Sequence, residues 1–232
     1  MKELIDLYNK RKHPSVYDDK IIPTETEIRD IVSKAYPLVT SFRKMYGYTI
    51  HVLGPNKERS NHIWELCEGF KQWIDDTHHG EEARQTKSIG LSHIQTAPWI
   101  LIYTPRVSPP NEYHAGETDH IDGKSVWDGL NWDYMNNQNR ESGAVEIGMV
   151  AQMIMGGVLD KGYDTGFCVC LPRSGDKGLE KWKNYPFLDF YPTVIQTIGK
   201  AKKYQYQNKT PKQLKKDTRP PIDDIFNFVG SN

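Results

Sequence analysis

The sequence predicts a mixed fold of helices and short strands in one soluble globular chain, and three observations carry that expectation. Apolar residues recur at helical spacing in residues 2–12, 24–37 and 144–158. Around these lie short runs, residues 48–53, 97–103, 167–171 and 193–198, that alternate or stay continuously apolar over strand lengths. The 232 residues, 37 % of them hydrophobic and 11 % aromatic, suffice to bury a core and exclude a disordered chain.

Each element has its own signal. Leu4, Ile5 and Tyr8 share one face of an opening helix over residues 2–12, which Pro14 stops. Thr24-Glu25-Thr26-Glu27 has the form of a capping box, followed by Ile28, Ile31, Val32 and Ala35 on one helix face, ending at Pro37. Tyr48 to Leu53 alternates like a strand and stops at Gly54-Pro55. Trp64, Leu66, Phe70 and Trp73 suggest a further helix. Residues 97–103 suit a strand buried on both faces. Some forty residues then lack periodicity yet carry Trp127, Trp132 and Tyr134, the mark of a lid or binding loop rather than a linker.

The helix predicted over 144–158 is rich in small residues, Gly143, Gly148, Ala151, Gly156 and Gly157. Glycine costs a helix roughly 1 kcal/mol relative to alanine, so this many implies close approach of a partner helix or a flat ligand. Gly162 ends it, and strands follow at 167–171 and 193–198. From Lys200 the chain is basic and polar until residues 222–229 restore hydrophobicity.

Thirty basic and thirty acidic side chains cancel, which argues against a polyanionic or membrane partner. The distribution is uneven. Residues 200–219 hold seven lysines and one arginine against Asp217, while residues 112–146 hold eight acids against Lys124 and Arg140. Tyr204 and Tyr206 interleave the basic stretch, leaving a nucleic-acid tail as a minor alternative. Cys67, Cys168 and Cys170 form no even framework and no CxxC pair. The opening residues lack a signal-peptide pattern, and neither residues 97–103 nor 147–159 reach bilayer length, so a cytoplasmic protein is expected. Glu112, His114, Glu117, Asp119 and His120, and separately His78-His79-Gly80-Glu81-Glu82, are metal-capable, but neither has the spacing of a known ligand motif, and no metal is expected.

Arg11-Lys12-His13 at the end of the first helix, followed by Ser15 and Tyr17, supplies cations suited to a helix C-terminus or to a phosphate. Lys215-Lys216-Asp217-Thr218-Arg219 is a second such group far along the chain.

These residues resemble FMN-dependent nitroreductase-like proteins. Arg11 to Lys20 with Pro23 is similar to that family's opening basic motif, and the capped helix ending at Pro37 to its second helix. Ile147 to Met155 followed by Gly162-Tyr163-Asp164-Thr165-Gly166-Phe167 is similar to its central helix and glycine-rich turn. Thr193 to Lys200 resembles a late strand, and Arg219-Pro220-Pro221-Ile222-Asp223-Asp224-Ile225 the C-terminal element. The pieces span about half the chain. Two departures stand out: His13 occupies the usual serine position, and the Pro-Ser-Ser-x-Asn segment is replaced by residues 37–48, which puts Ser41 in the asparagine position.

The resemblance implies one α+β domain over residues 1–232, a three-layer sandwich with a central antiparallel sheet flanked by helices. It further implies a variable lid at about 107–140 and a C-terminal tail at about 205–232 that embraces the partner of a homodimer, with the small-residue helix at the seam. FMN would be held by Arg11, Lys12, His13, Ser41, Lys216 and Arg219, with Thr165 and Gly166 in a turn facing its ring. The flavin carries the redox chemistry, so no catalytic acid or base is assigned. Trp127, Trp132 and Tyr134 would cap an aromatic acceptor. The implied activity is ping-pong reduction of a small aromatic, quinone-like or nitro acceptor by NADH, NADPH or another donor. The alternatives are an FMN-binding protein without turnover, and a dehalogenase-type or flavin-consuming enzyme of the same fold.

Overall fold

A computed structural model of the chain describes residues 2–41, 46–55, 91–105, 137–169, 188 and 192–204. Helix α1 (Lys2–Asn9) is shorter than expected. Lys10 and Arg11 donate their backbone N–H groups to the carbonyls of Leu7 and Tyr8, three residues back, and this tightened turn ends the helix before Pro14. Strand β1 (Pro14–Tyr17) follows, too short for periodicity to reveal. Helix α2 (Glu25–Ala35) begins where the capping box placed it: Glu27 N–H donates to Thr24 Oγ1 at 3.2 Å, and Thr24 N–H to Glu27 Oε2 at 2.7 Å. Pro37 turns its end into a single 3₁₀ turn, Tyr36–Leu38.

Strand β2 (Tyr48–Leu53) has the predicted bounds. Helix α3 (Leu91–Thr96), which the sequence did not reveal, displaces the start of the next strand, so β3 is Trp99–Pro105 and not 97–103. Helix α4 (Asn137–Asp160) begins earlier than the apolar pattern, and its first turn takes residues 137–140 out of the expected lid. Its other end is a Schellman turn: Tyr163 N–H donates to Val158 O and Gly162 N–H to Leu159 O, with Gly162 at φ 78°. Because that turn needs only three residues, β4 is Asp164–Cys168, three residues ahead of expectation. Thr165 and Gly166 therefore lie in a strand, not in a turn. Strand β5 (Val194–Gly199) is separated by Lys200 alone from β6 (Ala201–Tyr204), so the basic stretch starts as strand. The helix suggested around Trp64 to Trp73, most of the lid and the tail after residue 204 lie outside the described residues.

Two sheets result. Strands β2-β3-β5-β4 form one antiparallel sheet in that order, and β1 pairs with β6 as an antiparallel ribbon. One face of the larger sheet packs Trp99, Leu101 and Ile198 against α2 and α4, which contribute Ile28, Ile31, Val150, Ile154 and Val158. Inside this core Tyr103 OH donates to Gln196 Oε1, and Gln196 Nε2 donates to Thr165 Oγ1 at 3.0 Å. The opposite face, with Ile100, Ile102, Ile195 and Thr197, is equally buried. Tyr17 covers it from the ribbon, its OH in contact with Thr197 O at 3.1 Å and Oγ1 at 2.8 Å. An antiparallel sheet layered between helices and a ribbon is the α+β arrangement expected.

The small residues of α4 receive neighbours from the same chain. A side chain at Gly156 would meet Tyr8 of α1, one at Gly157 would meet Ile31 of α2, and one at Gly143 would meet the backbone of Gly47. Gly148 alone of these faces open space. By length and composition Gly143–Asp160 is sufficient to cross a bilayer, which corrects the sequence reading, but half of it is buried within the fold, as in a core helix.

The cap yields a stability prediction. Its hydrogen bonds hold the Glu27 carboxyl below the usual range, so its contribution is present above the unfolded carboxylate pKa and fades as pH falls through the folded value. Urea denaturation at neutral pH is expected to find Thr24→Ala destabilised by about 1 kcal/mol, the gap narrowing in acid.

Candidate functional site

The basic motif sits where α1, β1 and β4 meet. The tight turn after α1 exposes Arg11 and Lys12 and leaves His13 half-buried. The Arg11 guanidinium stands 5.6 Å from the centre of the Phe167 ring on β4, and Lys12 Nζ stands 5.5 Å from that of Tyr204 on β6. Among the described residues no carboxylate pairs with Arg11 or Lys12. Strand β4 is at the edge of its sheet, and no described strand pairs with its outer side. A cation with no carboxylate partner among the described residues, beside a strand edge, suits an anionic, hydrogen-bonding ligand.

His13 turns inward. Its ring makes an edge contact with His93 of α3, centroids 5.0 Å apart and planes at 74°. Both rings lie over Gly166: a Cβ built there would be 3.1 Å from Thr197 Oγ1, 3.2 Å from His93 and 3.4 Å from His13. The missing side chain of Gly166 thus makes room for the two imidazoles. His93 is 2 % exposed, and neither of its ring nitrogens has a hydrogen-bond partner among the described residues. Burial, then the neighbouring His13, lowers its pKa to about 4, so it is neutral at physiological pH. Burial, then Arg11, lowers that of His13.

The site residues expected from the sequence fare unequally. Arg11, His13 and Gly166 come together, and Lys12 stands next to them. Thr165 lies on the neighbouring strand position, but its side chain is fully buried and accepts from Gln196, so only its backbone faces the strand edge. Ser41 is engaged elsewhere, since its hydroxyl donates to Glu146 Oε1 at 3.0 Å and accepts from Tyr46 N–H at 2.6 Å, while Gly47 N–H donates to Glu146 Oε2 at 3.0 Å. The buried Glu146 carboxylate thereby fastens this departing segment to α4. Lys216, Arg219, Trp127, Trp132 and Tyr134 lie outside the described residues, as do both metal-capable clusters. His93 was missed because a lone histidine in a six-residue helix has no pattern around it.

The residues present fit an anionic, phosphate-bearing group in two respects. Arg11 and Lys12 offer charge without a counter-ion among the described residues, and the orphaned His93 nitrogens keep hydrogen-bonding capacity behind His13. A separate exposed apolar strip runs along α4 and the 3₁₀ turn, where Leu38 is 71 % and Val145 62 % exposed and Gly148 and Met149 line the groove between them.

Two measurements follow from these environments. Because the folded His93 pKa lies below its unfolded value, stability is full above about pH 6.5 and declines as pH falls toward 4. In His93→Phe that slope in unfolding free energy between pH 6.5 and 4 is expected to flatten. In thermal or urea melts, Ser41→Ala is expected to cost about 1–3 kcal/mol, since Tyr46 N–H and Glu146 each lose a partner.

No protein-family model and no curated protein matches this sequence. Solved structures do match over nearly the whole chain. A nitroreductase with bound FMN from Desulfitobacterium hafniense DCB-2 is 13 % identical, with 99 % of each chain covered and a TM-score of 0.63. A BluB-like flavoprotein from Clostridium difficile 630 is 14 % identical, covering 97 % of this chain and 98 % of its own, at TM-score 0.60. A nitroreductase-like protein from Streptococcus mutans is 14 % identical over 99 % of each chain, at TM-score 0.59. With identities this low the likeness is one of architecture, and on that architecture the chain has the nitroreductase fold.

Proposed function

We propose that the protein is an FMN-dependent oxidoreductase that passes electrons, in ping-pong fashion, from a reduced nicotinamide or another donor to a small aromatic, quinone-like or nitro acceptor. The observation that carries this reading is the convergence of Arg11, Lys12 and His13 on the edge of β4, with no carboxylate partner among the described residues, in the fold of proteins solved with FMN. Bound flavin would supply the two-electron chemistry.

The chain's own groups have simpler roles. Arg11 offers a planar fork to phosphate oxygens, worth about 1.5–3 kcal/mol per charge-assisted hydrogen bond, and Lys12 adds a point charge. The backbone of β4 around Thr165 and Gly166 offers hydrogen bonds along the strand edge. Lys216 and Arg219 complete the phosphate contacts in this reading, and Trp127, Trp132 and Tyr134 cover the acceptor. The protein acts as a cytoplasmic homodimer whose seam is the strip of Leu38 on the 3₁₀ turn and Val145, Gly148 and Met153 on α4, wrapped by the tail at 205–232. The four side chains are apolar or absent, and Gly148 leaves space for a neighbouring backbone.

One observation favours a second reading. Ser41, in the position from which the resemblance expects a flavin contact, has its hydroxyl committed to Glu146 and Tyr46. A protein that binds FMN without turning it over would tolerate that.

Absorbance of the purified protein separates these readings. The primary one expects a yellow dimer that releases FMN on denaturation and that, once reduced anaerobically by NADH, NADPH or dithionite, is reoxidised by a quinone or nitroaromatic acceptor, whereas the second expects the reduced flavin to pass no electrons to either acceptor. No flavin after soaking with FMN at micromolar concentration rejects both. Arg11→Ala is expected to weaken FMN binding about tenfold or more, read by fluorescence titration.

A further inference from the structure

The two imidazoles share a pocket of unusual sign. Arg11 acts on His13 from the turn after α1, His93 of α3 meets His13 edge-on, and Tyr17, fully buried and pushed toward higher pKa, stands on the same side from β1. The carboxylate of β4, Asp164, is committed elsewhere: it accepts from Ala201 N–H at 2.9 Å and Tyr204 OH at 3.0 Å and lies 3.9 Å from Lys200 Nζ. Lys12 is drawn to the Tyr204 ring. Among the described groups nothing negative therefore offsets the burial and the neighbouring positive groups that lower the pKa of both histidines. His93 keeps two buried ring nitrogens unpartnered among the described residues, a desolvation cost that these residues do not recover.

We propose that the His13–His93 pair is the proton-accepting part of the anion site: a phosphate monoester held at Arg11 draws one proton from solvent onto the unprotonated ring nitrogen of His13, with His93 behind it as the neutral, uncommitted partner. This rests on the flavin reading above and extends it, since the ligand arrives together with a proton. The charge arithmetic supports the coupling. The dianion brings negative charge to a ring whose charged neighbour among the described residues, Arg11, is positive, so its arrival shifts the local balance toward the imidazolium. His13 is half-buried, so the anion's field is only partly screened there. The sign follows from linkage: an anion raises a histidine pKa that burial and Arg11 had lowered, so binding takes up protons and weakens as pH rises.

Calorimetric titration of the full-length protein with FMN at pH 7.5, in two buffers of different ionisation heat, reads the proton directly. The phosphate monoester is by then almost wholly dianionic, with its second pKa at about 6, so uptake belongs to the protein. The expected result is uptake of a substantial fraction of a proton with FMN and none with riboflavin, which lacks the phosphate. FMN affinity is expected to fall by up to about tenfold per pH unit between pH 7 and 8.5. His13→Asn is expected to bind FMN more weakly with no uptake. The Cε1–H resonance of His13 in the unaltered protein is expected to titrate at higher pH once FMN is added, which keeps the test independent of how the variant folds. FMN binding with equal heats in both buffers and an unmoved His13 midpoint overturns the proposal, as does uptake with riboflavin equal to that with FMN. Absence of any FMN binding instead overturns the flavin reading, and this proposal with it.

Discussion

The position of everything at the candidate site depends on one buried hydrogen-bonded contact, that of Tyr17 with Thr197. The tyrosine hydroxyl reaches both the carbonyl and the Oγ1 of Thr197, its backbone N–H donates to Thr96 Oγ1, and the residue is 3 % exposed. This contact docks β1 across the second face of the sheet, and β1 carries the preceding basic residues with it. Gly199 permits the docking: a Cβ there would come within 2.5 Å of Pro98 and 2.8 Å of Tyr17. Thr197 in turn donates to Gly166 O at 3.3 Å, so the strand edge facing the cations and the segment bearing them are registered through one side chain. A hydroxyl buried between strands is satisfied only in one geometry, which is why a polar contact, rather than a larger apolar one, can specify the register.

How much of this the sequence disclosed follows from the physics of each signal. Thr24 and Glu27 announced the start of α2 because a capping box is local, requiring only two residues three apart. Strand β2 was read to the residue because alternation and a Gly-Pro stop mark its extent. Strand β4 was misplaced, since Asp164, Thr165 and Gly166 look like turn chemistry on composition alone. Only the Schellman turn at Gly162 shows that the reversal was already complete. Strands β1 and β6 were invisible for another reason: each has four residues, and their pairing is set by contacts about 190 positions apart, which no window detects.

The site divides in the same way. Arg11, Lys12 and His13 were legible as a run of cations next to a helix end, and Gly166 through the family resemblance. His93 was not, because what matters about it is burial with no partner among the described residues, a property of three-dimensional surroundings. Ser41 was assigned by position in a motif that this chain has rewritten, and its hydroxyl serves the buried Glu146. The glycines of α4 illustrate a related limit. Their abundance correctly signalled close approach, but composition does not say what approaches, and Tyr8, Ile31 and Gly47 of the same chain account for three of them.

The polar chain inside the main core has a consequence for how this sequence can change over time. Tyr103 donates to Gln196, and Gln196 donates to Thr165, one continuous chain of buried hydrogen bonds across three strands. Loss of the tyrosine hydroxyl strands a carbonyl oxygen; loss of the glutamine strands a hydroxyl at each end. Any single apolar replacement thus leaves a buried group without its partner, whereas all three replaced together leave none. Three residues on three different strands are in this sense one unit, and apolar replacement at these positions is least costly when all three change together.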